Sequence, residues 1–324
     1  MEAVLGRPAS DTDAGPPARW TVYLSLLVAA FLWGSLYPAA KPAVAATGPI
    51  QVTLCRVALA FVALGTLSLL RGGPRPIVWH VRRHGLTIVV LGLMNFSLSQ
   101  IMALSALAFL PASIVGVLNN THPLWVAIAA AGIARPRRPA LMIAASLVAL
   151  AGVVLVFAPD LIGGAADASA VQPIGVALAL GGSLAIAAST LLGSRVMAGS
   201  DPVIMSALAS GAAIVPMLGL TLVSGGFAPI VQADASIKVL LLYLGVGCTA
   251  INFGLWFYGL KYLPAAAASA FQYLIPPISV ALAAIFLAEP ISPSLVLGTL
   301  CILIGLAATQ LATGRLAVSG SGAS

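Results

Sequence analysis

Apolar residues in this chain come in long unbroken runs, not in the alternating or one-face patterns of water-facing elements. Between Gly85 and Ala134, fifty consecutive positions contain no Asp, Glu, Lys or Arg. A helix needs about 20 apolar residues to cross a bilayer, so this stretch predicts two membrane spans folded back on each other at Pro111. A helix at the surface of a soluble domain keeps a polar face, and none can be drawn here. Barrel strands would alternate polar with apolar residues between frequent turns. Runs such as LTIVVLGLMNFSLSQIMALSALAFL are too long and too evenly apolar for that. Inside hydrocarbon the backbone must satisfy its own hydrogen bonds, and here it can do so only as helix.

The same reading along the whole chain predicts ten helices. They lie at 20–40, 50–70, 86–107, 112–133 and 140–158, then at 174–196, 203–224, 237–260, 264–287 and 293–312. Residues 1–19 are polar and lack the apolar core of a cleavable signal. They read as a disordered cytoplasmic tail before an uncleaved first helix, and 315–324 read as a second tail.

Loops retained in the cytoplasm carry excess Lys and Arg. With the N-terminus inside, the inner loops receive Arg7, Arg19, Arg71, Arg75, Arg82, Arg83, Arg135, Arg137, Arg138, Arg195, Lys261 and Arg315. The outer side receives only Lys41 and Lys238, with Asp160, Asp167, Asp234 and Glu289. Both termini are therefore expected in the cytoplasm.

Composition fits this picture: 60% of residues are hydrophobic and 7% charged, against about 25% charged in soluble domains. A net charge of +7 would otherwise suggest nucleic acid as a partner. The basic residues sit in short loops beside apolar spans, so topology accounts for them and no nucleic-acid partner is expected. Cys55, Cys248 and Cys301 fall in separate helices without metal-ligand spacing, and read as buried apolar filler. No metal site and no cofactor is expected.

A long acidic connection at mid-chain invites a search for duplication. Displacing the chain by 153 residues lays LGL at 91–93 over LGV at 244–246 and LPAS at 110–113 over LPAA at 263–266. Pro123 falls on Pro276 and Gly152 on Gly305. Two repeats follow, 20–158 and 173–314, joined by an external linker at 159–172. Five helices per repeat is an odd number, so the second repeat must enter the membrane inverted, the architecture of many secondary transporters. The predicted fold class is an all-α integral membrane protein of ten transmembrane helices in two inverted five-helix repeats.

The chain resembles the drug/metabolite transporter superfamily, specifically its EamA-type permeases. The resemblance is carried by FLWGSLYPAAK in the first helix, CRVALAF in the second and ILIGLAATQL in the last. Its densest part is YLGVGCTAINFGLWFYGLKYLPAAAASAFQYLIPPISVALAAIFLAEP. It spans about residues 22–314 and implies ten helices, two halves, and export or uptake of small organic metabolites. Helix six (LALGGSLAIAAST) lacks the Trp-Ala pair common there in the family, and the fourth helix ends in ARPRR without the usual Gly-Glu. No substrate is carried over.

Polar residues within spans face a cavity or another helix, because exposure to lipid is costly. Asn95 and Ser99 are four apart and are expected to share a face, as are Thr249, Asn252 and Trp256. The 153-residue displacement lays Ser99 on Asn252 and Asn119 on Gln272, as expected if both repeats line one cavity. Hydrogen bonding between helices is the competing explanation for each. Trp33 and Tyr37 could stack on a substrate, or belong to an interfacial aromatic belt. Arg56 is the one formal charge well inside a span. It reads either as an outer anchor or as the partner of a substrate carboxylate or phosphate. His122 is the one titratable group near neutrality in the spans, read as proton coupler or as neutral hydrogen-bonding group. Glu289, before Pro290, reads as a helix terminator at the interface.

The function that best fits is a secondary transporter moving small organic metabolites across the bacterial inner membrane by alternating access, as facilitator or exchanger. The alternative is a non-transporting membrane receptor or assembly subunit. An intramembrane enzyme would need paired aspartates, an HExxH motif or a nucleophile with its base, and the sequence contains none of these. The expected partners are a small-molecule substrate and the lipid bilayer, the protein being monomer or homodimer.

Overall fold

The computed structural model describes residues 18–133, 139–162, 172–197, 200–262 and 271–312. Both tails, the arginine-rich loop at 134–138, most of the linker and the start of the ninth predicted helix fall outside these residues.

The described chain is almost entirely helical. The first predicted span is two helices, α1 (Arg19–Gly34) and α2 (Leu36–Thr47), bent at Ser35. Gly48 takes a positive φ of 91° and Pro49 starts α3 (Pro49–Gly72), where its missing N–H costs nothing. The same Gly-Pro device at Gly73 (φ 68°) and Pro74 starts α4 (Pro74–Leu91). Within α4 the backbone leaves helical geometry at His84 (φ −128°, ψ 19°), a kink that separates a first stretch, begun at Pro74, from the apolar span expected from 86. Arg82 and Arg83 lie before that kink, outside the apolar run that follows it.

From α4 the chain passes through a π-helical segment, Gly92–Leu98, into α5 (Ser99–Ala106). Next come α6 (Ala112–Asn119) and α7 (His122–Ile133), then α8 (Pro139–Ile162). The second repeat comprises α9 (Pro173–Met197), α10 (Pro202–Val223), the short α11 (Ala228–Gln232) and α12 (Ala235–Leu242). A second π segment, Tyr243–Ile251, leads into α13 (Asn252–Tyr262). A 3-10 turn, Phe271–Leu274, precedes α14 (Ile275–Leu287), and α15 (Pro293–Ala312) follows. Among the described residues, six helical stretches are long and apolar enough to cross a membrane, and three shorter apolar helices accompany them.

Large apolar side chains cover the outside: Leu70, Leu86, Val223 and Phe286 are each more than 70% exposed. Small polar side chains fill the inside, with Thr53, Ser99, Ser183, Ser210 and Asn252 fully buried. Water would disfavour that distribution and a hydrocarbon solvent favours it. Many of the hydroxyls are satisfied by carbonyls of their own helix, as Ser68 by Leu64 and Thr53 by Pro49.

The repeats interlock by exchange. α3 packs on the π segment at 243–251, and α10, its counterpart in the second repeat, packs on the π segment at 92–98. Helices α8 and α15 pack along their length through glycines. A Cβ on Gly152 would lie 2.6 Å from the Gly298 carbonyl oxygen, and one on Gly305 would lie 2.7 Å from that of Ala145. Such close backbone approach between spans is what small residues permit.

Candidate functional site

A cavity of about 190 Å³ lies between the repeats. Trp33, Tyr37, Arg56, Asn95, Asn119, His122 and Gln272 line it, as does a set that residue spacing alone did not single out: Thr53, Gln100, Asn120 and Phe253.

Helix breaks bring these side chains together. Pro123 has no N–H, so the Asn119 carbonyl four residues earlier loses its helical donor. The helix interrupts there, between α6 and α7, and Asn119, Asn120 and His122 fall along the cavity wall. His122 Nδ1 sits 3.4 Å from the Asn119 carbonyl oxygen, and the Asn119 amide donates to the Ala179 carbonyl at 3.4 Å. Pro276, the repeat mate of Pro123, cannot donate to the Gln272 carbonyl in the same way. There the chain is a 3-10 turn, with Gln272 and Ile275 on the cavity. Each proline stands at the second position of a new helix, α7 or α14.

The π segments decide which faces look inward. In a π-helix residues five apart stack, not four. The Gln100 amide donates to the Asn95 carbonyl five residues back at 3.4 Å, and both residues line the cavity. Ser99, expected to share the face of Asn95, is fully buried away from it and donates to the Asn95 carbonyl at 2.5 Å. In the second repeat Thr249 donates to Leu244, again five back, at 2.8 Å, and lines the cavity with Phe253. Asn252, the mate of Ser99, is fully buried outside the lining, its amide 3.5 Å from the Cys248 carbonyl. Trp256 is also outside the lining. It packs against Trp33, itself a lining residue, with ring centroids 5.4 Å apart.

Arg56 is 6% exposed. Its Nη1 donates to Gln100 Oε1 at 2.5 Å and its Nη2 to Thr249 Oγ1 at 3.4 Å, so it bridges the two π-bearing helices. Tyr37 is buried at the cavity, which places it inside the bundle and not in an interfacial belt. No Asp or Glu is among the lining residues, and no cluster of metal-ligating side chains occurs among the described residues.

At one end of the bundle, Glu289 closes a separate cluster. Ala288 adopts a left-handed conformation (φ 52°) that ends α14 and aims the next residue back into the bundle. The Glu289 carboxylate accepts from the Ala112 and Ser113 amides at 2.7 and 3.0 Å, capping α6. It also takes the Ser113 hydroxyl at 2.7 Å and Lys41 Nζ at 2.8 Å. Burial pushes this carboxyl up, but the bonds from Lys41, Ser113 and Ala112 together outweigh it and hold it below the ordinary carboxylate value. The terminator expected from sequence is thus also a tie among three segments.

The chain matches the EamA-like transporter family twice, over residues 20–158 and 173–310. An uncharacterized transporter of Archaeoglobus fulgidus is 25% identical over 89% of this chain and 97% of the relative. A probable terminal-alkyne amino-acid exporter of Streptantibioticus cattleyicolor is 24% identical over 87% and 89% respectively. A solved crystal structure, 22% identical, shares the fold with a TM-score of 0.63 over 93% of this chain and all of that one.

Proposed function

This chain belongs to the EamA-like transporter family and is a multi-pass membrane protein, and on that premise we propose that it moves small organic metabolites across the bacterial inner membrane by alternating access. One observation carries the reading: side chains from both repeats, broken at corresponding prolines, converge on one cavity. Discontinuous helices at the repeat interface are where secondary transporters bind their solutes. We take the spans to be ten, in two inverted repeats with both termini in the cytoplasm. The reading is supported by the basic residues of the alternate loops and by the exchange of packing between repeats. Two similar packings of such halves can each open one side of the cavity.

The protein works as a facilitator or exchanger. Proton coupling through a carboxylate finds no support, because no Asp or Glu lines the cavity, and His122, with Nδ1 3.4 Å from the Asn119 carbonyl oxygen, serves as a hydrogen-bonding group. The test is counterflow in liposomes against a panel of amino acids, nucleosides, sugars and cationic drugs. At least one solute should move faster than in protein-free vesicles. Trp33→Ala and Gln272→Ala should slow it about three- to tenfold, the loss of one aromatic or polar contact worth roughly 0.5–1.5 kcal/mol. Flux of no solute would remove the reading.

A further inference from the structure

We infer that Arg56 binds a carboxylate, and that this cavity selects a small organic acid with one negative charge beside an apolar or aromatic group. The inference rests on the transporter reading only for its consequence; the binding site stands on its own geometry.

Arg56 is buried among neutral groups. A guanidinium has five N–H donors. Two of them find partners here, Gln100 and Thr249, both uncharged. Its Nε is fully buried without a partner. The Nε and Nη2 hydrogens point in parallel from one edge of the guanidinium plane, the edge that grips a carboxylate through two bonds. On that edge the protein supplies only the long 3.4 Å contact to Thr249. Lys41–Glu289 is the ion pair found among the described residues, and neither partner lines the cavity. A buried cation left without a counter-charge is costly, and an anionic solute would remove that cost on entering.

The charge and size of the solute follow from the rest of the wall. No second Lys or Arg lines the cavity, so a phosphate monoester with two charges would be left half neutralised. Trp33, Phe96 and Phe253 supply apolar surface beside the guanidinium, with Phe253 5.9 Å from both of the other rings. A volume of about 190 Å³ is below the range of roughly 300–1,000 Å³ typical of drug-sized ligands, and suits a solute of amino-acid or short-acid size.

The experiment measures binding to the purified full-length protein by thermal stabilisation, which does not require transport. The probes are leucine, phenylalanine and their 2-oxo acids, each beside its primary amide, with phenyl phosphate as the dianion. At least one acid should stabilise the protein, with its amide binding at least tenfold more weakly. Arg56→Gln should abolish the difference and Arg56→Lys retain part of it, both variants remaining monodisperse and inserted. Equal stabilisation by acid and amide, preference for phenyl phosphate, undiminished acid binding by Arg56→Gln, or no response to any acid would each overturn the inference. Acid binding without flux in liposomes would instead sink the transporter reading and leave the Arg56 site intact.

Discussion

Asn95 and Gln100 are five residues apart, a spacing that would put them on different faces of an α-helix, yet they face one cavity. The i, i+4 rule was the right tool for an α-helix and gave Ser99; the π segment shifted the face by one residue. Arg56 and His122 were legible singly, because an ionisable residue is costly in a lipid-facing position; Trp33 and Tyr37 were not, because aromatic rings are equally at home in an interfacial belt. The Lys41–Glu289 contact was not legible, since its partners are 248 residues apart and only the fold brings them together. Glu289→Gln should remove roughly 1.5–3 kcal/mol of stability, as expected for hydrogen bonds to a charged group. Because the folded state lowers this carboxyl's pKa, its contribution is complete above the ordinary carboxylate value. It is lost as pH falls below that value through the lowered one. Thermal unfolding in detergent should therefore separate wild type from Glu289→Gln at pH 7, and the gap should close on acidification. A gap that does not narrow at all as the pH is taken progressively below the ordinary carboxylate value would contradict the assignment.

At the scale of elements, apolar runs gave the existence and order of the helices well, because hydrocarbon leaves the backbone few alternatives. They missed the helical stretch that begins at Pro74 and ends at the His84 kink, because its charged residues fall outside any apolar run. The π segments left no trace in hydropathy. The 153-residue displacement does relate them, however, since it carries Gly92 onto Gly245 and 92–98 onto the greater part of 243–251. Glycines test the packing directly. On Gly152 a Cβ would meet the Gly298 carbonyl and the Ile302 amide of α15, whereas on Gly254 it would meet nothing within 4 Å. Gly152→Ala should cost about 1–3 kcal/mol, the usual penalty for overpacking. Gly254→Ala should be neutral or stabilise by up to about 1 kcal/mol through helix propensity. Comparable unfolding temperatures for the two variants would show that α8 and α15 do not pack through that glycine.

Across the whole molecule, two repeats of similar sequence exchange their contacts and leave a cavity lined by both. A binding protein could have such a cavity and never move. A transporter must open it to each side in turn, and that movement is the central claim. Its most direct measurement replaces Asn120, a residue on the cavity wall at the break between α6 and α7, by cysteine in a background lacking Cys55, Cys248 and Cys301. A membrane-impermeant thiol reagent is then applied to right-side-out and to inside-out vesicles separately. An alternating cavity is labelled from both sides, and labelling slows in both when a transported solute is added. Labelling from one side only, with and without solute, would contradict it.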